Sequence, residues 1–536
     1  MRGFVPDFIL IKNEENLKHG SFNGFALFAD ISGFTLLTEE MMKKGRGGAE
    51  KVSKILNGAF SSMVEAVHSR NGFISTFAGD AFTAIFRENE FDKCLECAFE
   101  LKNYFDNAGA GNEKFFGYPI SLKIGIGYGG INWGIVGNEL KSYYFSSEAV
   151  DRAAEAEKHL GRQEIGIHAS ADSAILRDCE YEKRNSVFLI NEFKKQKTIK
   201  RKTTLSLKNE DSFIARDLSS RNIESEFRSA ASLFISFSDL NNYRDINNSY
   251  IKLAKLTEKF KGYISLLDFG DKGAKAMVIF GAPKSYENDL RRAAKFSIEA
   301  MNVFSGKIKI GLTYATCFSG KIGGLDRSTY TVIGSSVNLA ARLMSSAETG
   351  EILTSLETAK NVKRGFLFEI LGEKQFKGFK ESIQVAKIKK EKEFASEEAE
   401  TEMVGRKEDL KRIINHAYSE KEILSVVQIE GAPGIGKSRI LLEALKVFKK
   451  EKSIVFYGEC DDTLQESLNP IKQMLRRFFF SGKESSNRSE KEVFEEKYAD
   501  IIKRTKNEEV KNELERTVTV IAGMMGIEYS NSLYSS

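Results

Sequence analysis

Along the first 390 or so residues, short apolar runs alternate with longer amphipathic stretches. Residues 25–36 read as an apolar strand that ends in a polar turn and continues into a helix. Residues 231–242 repeat the strand and the turn. Ala49–Ser69 and Glu287–Phe304 have the length and apolar spacing of helices. Strands alternating with helices of this length predict an α/β (α+β) architecture. The pattern also recurs. Thr76-Phe77-Ala78-Gly79-Asp80 is echoed at Asp268–Gly273, Leu122–Gly127 at Ile308–Thr313, and Tyr143-Tyr144-Phe145 with Ala149-Val150-Asp151 at Tyr330-Thr331-Val332 with Ser336-Val337-Asn338. Four blocks in the same order, at an offset of roughly 190 residues, describe one domain duplicated and diverged. The copies are expected at 20–205 and 226–392.

A charged, apolar-poor stretch, Lys389–Glu402, predicts a linker, set at 393–402. A different unit follows at 403–536. Ile423–Glu430 has a strand pattern and runs into Gly431-Ala432-Pro433-Gly434-Ile435-Gly436-Lys437-Ser438, then a helical run from Arg439 to Lys450. This is a phosphate loop in strand–loop–helix context, with Gly431, Gly434 and Gly436 letting the backbone cradle phosphate, Lys437 adding charge and Ser438 able to reach Mg. Val455–Asp461 reads as the next strand. No Walker B pattern is visible between Ser453 and Ser536, so the unit is expected to be a partial P-loop NTPase domain.

Composition narrows the function classes. The formal charge of +5 is small against 80 basic and 75 acidic residues, and Lys and Glu alternate along most segments, which argues against a nucleic-acid partner. No stretch approaches the roughly 18 apolar residues of a membrane span. The N-terminus carries a charge and a proline where a signal peptide needs an apolar core. Five cysteines make no disulfide framework, and the Cys94–Cys97 pair falls in a helical pattern whose ordinary role is a buried face. A reducing, cytoplasmic setting is expected.

The chemistry concentrates at two carboxylates. Asp30 ends an apolar strand, and Asp80 sits in a tight turn between two strand patterns. Carboxylates at neighbouring strand ends suit Mg, which takes its remaining ligands from water and substrate phosphates, and two such ions suit in-line phosphoryl displacement. The helix opening after Ile31-Ser32-Gly33-Phe34-Thr35 presents N–H groups to a triphosphate.

Phe28–Thr35, Phe77–Ala81 and the fifteen residues Tyr330–Met344 together resemble the motifs of class III nucleotidyl cyclases. The module order resembles the soluble adenylyl cyclase type, with tandem cyclase domains followed by a P-loop NTPase module. The resemblance implies two ferredoxin-like domains in a pseudo-two-fold pair, sharing one site that turns ATP into cyclic AMP and pyrophosphate. It implies metal binding by Asp30, Ile31 and Asp80 with two Mg ions (Mn as a substitute), ribose orientation by Asn338, and α-phosphate stabilisation by Arg342. Gly33, Phe34, Thr35, Lys123 and Lys377 would hold the phosphates, and Thr331 would read the base. The first copy carries Asp151 and Glu155 where the second has Asn338 and Arg342. The second carries Ser236 opposite Asp30, with Lys272 near the Asp80 position. Leu266 stands where the family's adenine-reading lysine belongs, which leaves GTP as the alternative substrate and a nucleotide sensor controlling the NTPase module as the alternative role. A protein partner of the NTPase module is a further expectation.

Overall fold

Apolar residues alternate with small or polar ones from His19 to Ser32, and this run forms a fourteen-residue strand with Ala26, Leu27, Ala29 and Ile31 fully buried. In the computed structural model, residues 3–43, 45–79, 81–106, 120–194, 210–215, 218, 225–238, 240, 242–270, 273–286, 288–324, 326–362, 365–391, 403, 405–418, 426–431, 435–450, 453–456, 458, 460, 468–480, 489–527 and 529 are described. They divide into two units, Met1–Glu391 and Lys392–Ser536.

The first unit holds both copies in one 16-stranded sheet. The first copy supplies β1 (His19–Ser32), β2 (Phe73–Ala78), β3 (Ala81–Arg87), β4 (Ser121–Val136), β5 (Ser142–Ser147), β6 (Ile165–His168), β7 (Cys179–Arg184) and β8 (Val187–Phe193). The second supplies β9 (Glu226–Phe237), β10 (Tyr263–Gly270), β11 (Gly273–Phe280), β12 (Ile308–Gly323), β13 (Ser328–Ile333), β14 (Ile352–Ser355), β15 (Phe366–Lys374) and β16 (Ile383–Glu391). The neighbour order β7-β8-β6-β4-β1-β3-β2 in one copy is repeated as β15-β16-β14-β12-β9-β11-β10 in the other, with β5 and β13 on the far halves of β4 and β12. The helices of the first copy are α1 (Asp7–Glu14), α2 (Phe34–Met42), α3 (Gly45–His68), α4 (Phe91–Asp106) and α5 (Glu148–Lys158); those of the second are α6 (Tyr243–Lys259), α7 (Asp289–Val303), α8 (Ser335–Ser346) and α9 (Leu356–Asn361). A central β4-β1-β3-β2 order, with α3 and α4 in the crossovers, is ferredoxin-like. Cys94 and Cys97 are buried on α4, as the helical pattern predicts.

One device sets the helix that carries the later site residues. A Cβ on Gly125 of β4 would lie 2.0 Å from the Ala153 carbonyl, and one on Gly127 would lie 2.3 Å from that of Ala149. The glycines therefore let α5 rest directly on the strand. Gly311 of β12 does the same for α8, where a Cβ would meet the Ala340 carbonyl at 2.1 Å.

The copies share a core. Phe318, Ile322 and Ile333 of the second copy pack among Val52, Phe60 and Val64 of the first, each burial contributing about 1.5–3 kcal/mol. β5 and β10 meet in a parallel bridge, Ser146 to Phe269. Arg327, 2% exposed, ties the junction together. Its guanidinium donates to the carbonyls of Ile74 (3.0 Å), Ser75 (3.3 Å), Phe4 (2.8 Å), Gly3 (3.3 Å) and Ser328 (2.7 Å), and to the Tyr143 hydroxyl. Glu210, in the connection between copies, accepts from the N–H groups of Gly3 and Phe4, both at 2.8 Å. Among the described residues, no helix is long and apolar enough to cross a membrane.

The second unit contains α10 (Lys407–Ala417), α11 (Lys437–Lys450), α12 (Asn469–Phe480), α13 (Glu490–Arg504) and α14 (Glu508–Met524). Phe479, Phe494 and Tyr498 stack with Ala522 and Met525 into its apolar core. The predicted helix after the phosphate loop is α11. The two predicted strands are not formed by their described residues: Val426–Glu430 of the first and Val455, Phe456, Gly458 and Cys460 of the second are irregular, and Val426 is 77% exposed. A β-branched run needs a neighbouring ladder to pair with, and the described residues of this unit contain no strand. At the other boundary, β16 ends at Glu391.

Candidate active site

Asp30 lies near the end of β1, in register with Ala81 of β3 on one side and Lys123 of β4 on the other. β2 and β3 form a hairpin that closes from Ala78 to Ala81, with Gly79 at φ +66°, so it places the turn beside the strand end that carries Asp30. Asp80 itself lies outside the described residues. Ile31 is fully buried, and since its hydrocarbon side chain has no donor atom, its backbone carbonyl is the group that can ligate a metal. Gly33 takes φ +106° as the residue capping α2, a left-handed turn that glycine adopts without strain. Phe34 and Thr35 open that helix, so their N–H groups belong to its unpaired first turn. Lys123 stands 3.6 Å from Glu157 of α5, an ion pair that holds the ammonium along the edge of the same strand.

In the second copy, α8 buries Val337, Ala340, Leu343 and Met344 against β12. Asn338 and Arg342, one helical turn apart, therefore fall on its exposed face. Phe376 packs with Leu339 and Leu343 of the same helix, which brings the turn containing the exposed Lys377 to α8. Thr331 of β13 is 8% exposed. Its hydroxyl oxygen lies 3.2 Å from the hydroxyl of Ser265, which also donates to the Tyr330 carbonyl at 3.1 Å. Leu266 pairs with Met277 and packs against the apolar cluster of Val332, Val337 and Ile214. Burial pushes the phenols of Tyr330 and Tyr263 upward, so both remain neutral beside this group.

The structure thus brings Lys123 into register beside Asp30, the Lys377 turn to the helix that carries Asn338 and Arg342, and Thr331 to Ser265. Sequence reasoning missed Ser265. β10 carries a bulge between Ile264 and Leu266, which offsets the simple two-residue alternation and sets Ser265 beside Thr331. The counterpart bulge lies between Ile74 and Thr76 of β2. An Ser75–Ser265 echo was the available signal.

The register also corrects one alignment. Ser236 occupies the place of Asp30, flanked by Lys275 and Lys309 where Asp30 has Ala81 and Lys123. Asp268 pairs with Lys275, so the β10–β11 hairpin continues beyond the point equivalent to Ala78 and Ala81. The position equivalent to Ala81 is Lys275, and Lys272, which lies outside the described residues, does not correspond to Asp80. Paired residues in an antiparallel ladder share a face. Asp30 therefore has one lysine across the ladder, and Ser236 has two. The first arrangement suits a cation held by carboxylates, and the second opposes one. On α5, Glu155 stands 3.4 Å from His168 in the place of Arg342.

Residues 23–201 and 235–389, more than half of the chain, match the family described as the adenylate and guanylate cyclase catalytic domain. The chain is 26% identical over 496 residues to adenylate cyclase type 10 of Homo sapiens, covering 79% of this chain and 30% of that protein. It is 26% identical over 386 residues to the protein of that name from Mus musculus, covering 60% and 24%. The chain thus spans less than a third of the length of these relatives. Among solved structures, the adenylyl cyclase CyaB from P. aeruginosa is 27% identical over 31% of this chain and 95% of its own, with a TM-score of 0.28. A class III adenylyl cyclase-like ATP-binding protein from Pseudomonas aeruginosa is 12% identical over 64% and 85%, with a TM-score of 0.44.

Proposed function

Since the chain belongs to the adenylate and guanylate cyclase catalytic domain family, we propose that it converts ATP to 3',5'-cyclic AMP and pyrophosphate at one site shared by its two copies. The asymmetry of the pair carries this reading. The first copy keeps Asp30 and Asp80 and has Asp151 and Glu155 on α5, while the second keeps Asn338 and Arg342 and has Ser236 between two lysines. Each copy holds the half the other lacks, so one complete site and one degenerate site result.

The donor set fits Mg. Among the described residues no three His, Cys, Asp or Glu side chains form a cage, and Mg needs none, because one or two carboxylates suffice when a triphosphate supplies the rest. Asp30, the Ile31 carbonyl and Asp80 would hold two Mg ions, which when bound acidify the ribose 3'-OH and neutralise charge on the triphosphate. The first-turn N–H groups after Gly33, with Lys123 and Lys377, grip the β- and γ-phosphates. Asn338 hydrogen-bonds the ribose and aims its 3'-oxygen at the α-phosphorus. As the O3'–P bond forms and the P–O bond to pyrophosphate breaks, the Arg342 guanidinium meets the charge that develops on the α-phosphate. The hydroxyls of Thr331 and Ser265 face the base edge, and no carboxylate stands at Leu266 to read guanine, so adenine leads.

The test is purified protein with Mg or Mn and ATP or GTP, assayed for cyclic nucleotide. Cyclic AMP is expected, and Asp30→Ala abolishes it. No product with either metal and either nucleotide, or undiminished product from Asp30→Ala, overturns the reading. In the second unit we infer a separate nucleotide site at Gly431, Gly434, Gly436, Lys437 and Ser438. What supports it is Lys437 at the start of α11, its ammonium 2.6 Å from the Gly431 carbonyl at the mouth of the loop.

A further inference from the structure

Lys123 is held by a carboxylate that stands where a helix disfavours one. The lysine lies on β4 shortly before Gly125, and alternate residues of a strand share a face, so its side chain is on the side where α5 rests. There its ammonium is 3.6 Å from the Glu157 carboxylate. Glu157 belongs to the last turn of α5 (Glu148–Lys158), where the unpaired helix carbonyls oppose an acid. The ammonium supplies the opposite charge. Glu157 is 14% exposed and Lys123 27%, so the carboxylate is costly to leave without its partner.

The second copy builds the same contact without the acid. A Cβ on Gly311 would meet Ala340 and Met344 of α8, as one on Gly125 would meet Ala153 and Glu157 of α5. Met344 therefore holds the place of Glu157, and Lys309, in register with Ser236, holds that of Lys123. Met344 is 3% exposed and packs as an ordinary core residue. Resting a helix on this strand thus does not call for a carboxylate. The acid occurs in the copy that carries Asp30.

Under the cyclase reading, on which this inference rests, Lys123 grips the β- and γ-phosphates, the part of the substrate that leaves as pyrophosphate. Glu157 and the phosphates then compete for one ammonium. A lysine carries a compact charge on a flexible four-carbon stem, so it can pass from one to the other. We propose that Glu157 is a positioning residue that acts through Lys123, drawing the ammonium back from pyrophosphate and so loosening the site's hold on its product. ATP meets the same competition on entry, so Glu157 weakens substrate and product binding alike and leaves the chemical step untouched.

Calorimetric titration of the full chain with Mg and pyrophosphate tests this without turnover. Every chain carries Lys437→Ala, which silences the phosphate loop of the second unit. Glu157→Gln is expected to bind pyrophosphate about fivefold more tightly than the parent, the scale of one partly exposed ion pair. Glu157→Met, which installs the residue of the second copy, is expected to gain as much and decides the matter should Glu157→Gln not fold. In a Lys123→Met background the Glu157→Gln change is expected to shift binding less than about twofold, because the pair is already broken. In the cyclase assay the KM for ATP and the inhibition constant of pyrophosphate fall together about fivefold, and kcat does not rise. Absence of saturable pyrophosphate binding by the parent overturns the proposal, as does a folded Glu157 variant that gains nothing, or an equal gain in the Lys123→Met background. Cyclic AMP production with unresponsive pyrophosphate binding overturns this inference alone. An inactive chain whose pyrophosphate binding responds as stated upholds it and overturns the cyclase reading.

Discussion

Replacing Arg327 by Ala removes six hydrogen bonds from a side chain that is 2% exposed. The gross loss is large, since bonds from a charged donor are worth about 1.5–3 kcal/mol each. Part is offset, because the guanidinium no longer has to be kept out of water. Its partners stay behind, however: the carbonyls of Ile74, Ser75, Gly3 and Phe4 sit at the junction of two copies and an N-terminal segment, and each loses a donor. Removing one side of a buried charged network costs about 3–5 kcal/mol. A 391-residue unit has a melting entropy of about 0.8 kcal/mol/K, so the melting temperature is expected to fall by roughly 5 °C. Lysine keeps the charge but replaces a planar fork by a point donor, and Arg327→Lys should recover less than half of the loss. Differential scanning calorimetry of the first unit's transition gives the answer. A shift below about 1 °C in Arg327→Ala refutes the view that this one side chain clamps the copies together.

Three further outcomes are expected. Arg342→Lys lowers kcat about 100-fold, the scale of losing one oriented donor to a developing oxyanion, and leaves the melting curve unmoved because Arg342 is exposed; a fall in stability with kcat intact reverses the assignment. Leu266→Lys, which sets an ammonium next to Thr331 and Ser265, raises the ATP-over-GTP ratio of kcat/KM about tenfold, and an unchanged ratio in a folded protein rules out that position as a base reader. Burial holds the His68 imidazole below its ordinary pKa, against the raising influence of Asp326 and Asp7. The folded chain thus prefers neutral His68, and the unfolded chain takes up the proton first. Stability from this group is complete above about pH 6.5 and is lost as pH falls from there through the lowered value. Urea midpoints at pH 7.5 and 5.5 should differ more in wild type than in His68→Gln, and equal differences remove His68 as the cause.

The local parts of this architecture were legible because they follow from short-range pattern. The apolar alternation before Asp30 and the spacing of Ala49–Ser69 each report which face of an element is dry, and β1 and α3 formed where that pattern lies. The Gly125 and Gly127 spacing was visible as letters, but the carbonyls of Ala153 and Ala149 that make those glycines necessary come from a helix about 25 residues away. Strand patterns failed in the second unit, where Val426–Glu430 has the composition of a strand and no described partner to pair with. Ladder bonds are made between segments, and a segment's own letters do not say whether a neighbour is present.

For the candidate site, the sequence by itself determined which groups exist: Asp30 and Asp80 on one copy, Asn338 and Arg342 on the other, and the helical spacing that aims the last two in one direction. Only the tertiary structure decided their surroundings. It put Lys275 and Lys309 on either side of Ser236, moved the Asp80 equivalence away from Lys272, and set Ser265 on Thr331. These depend on strand register and on one bulge. A shift of one residue turns every side chain to the opposite face, and register is settled by contacts between residues far apart in the chain.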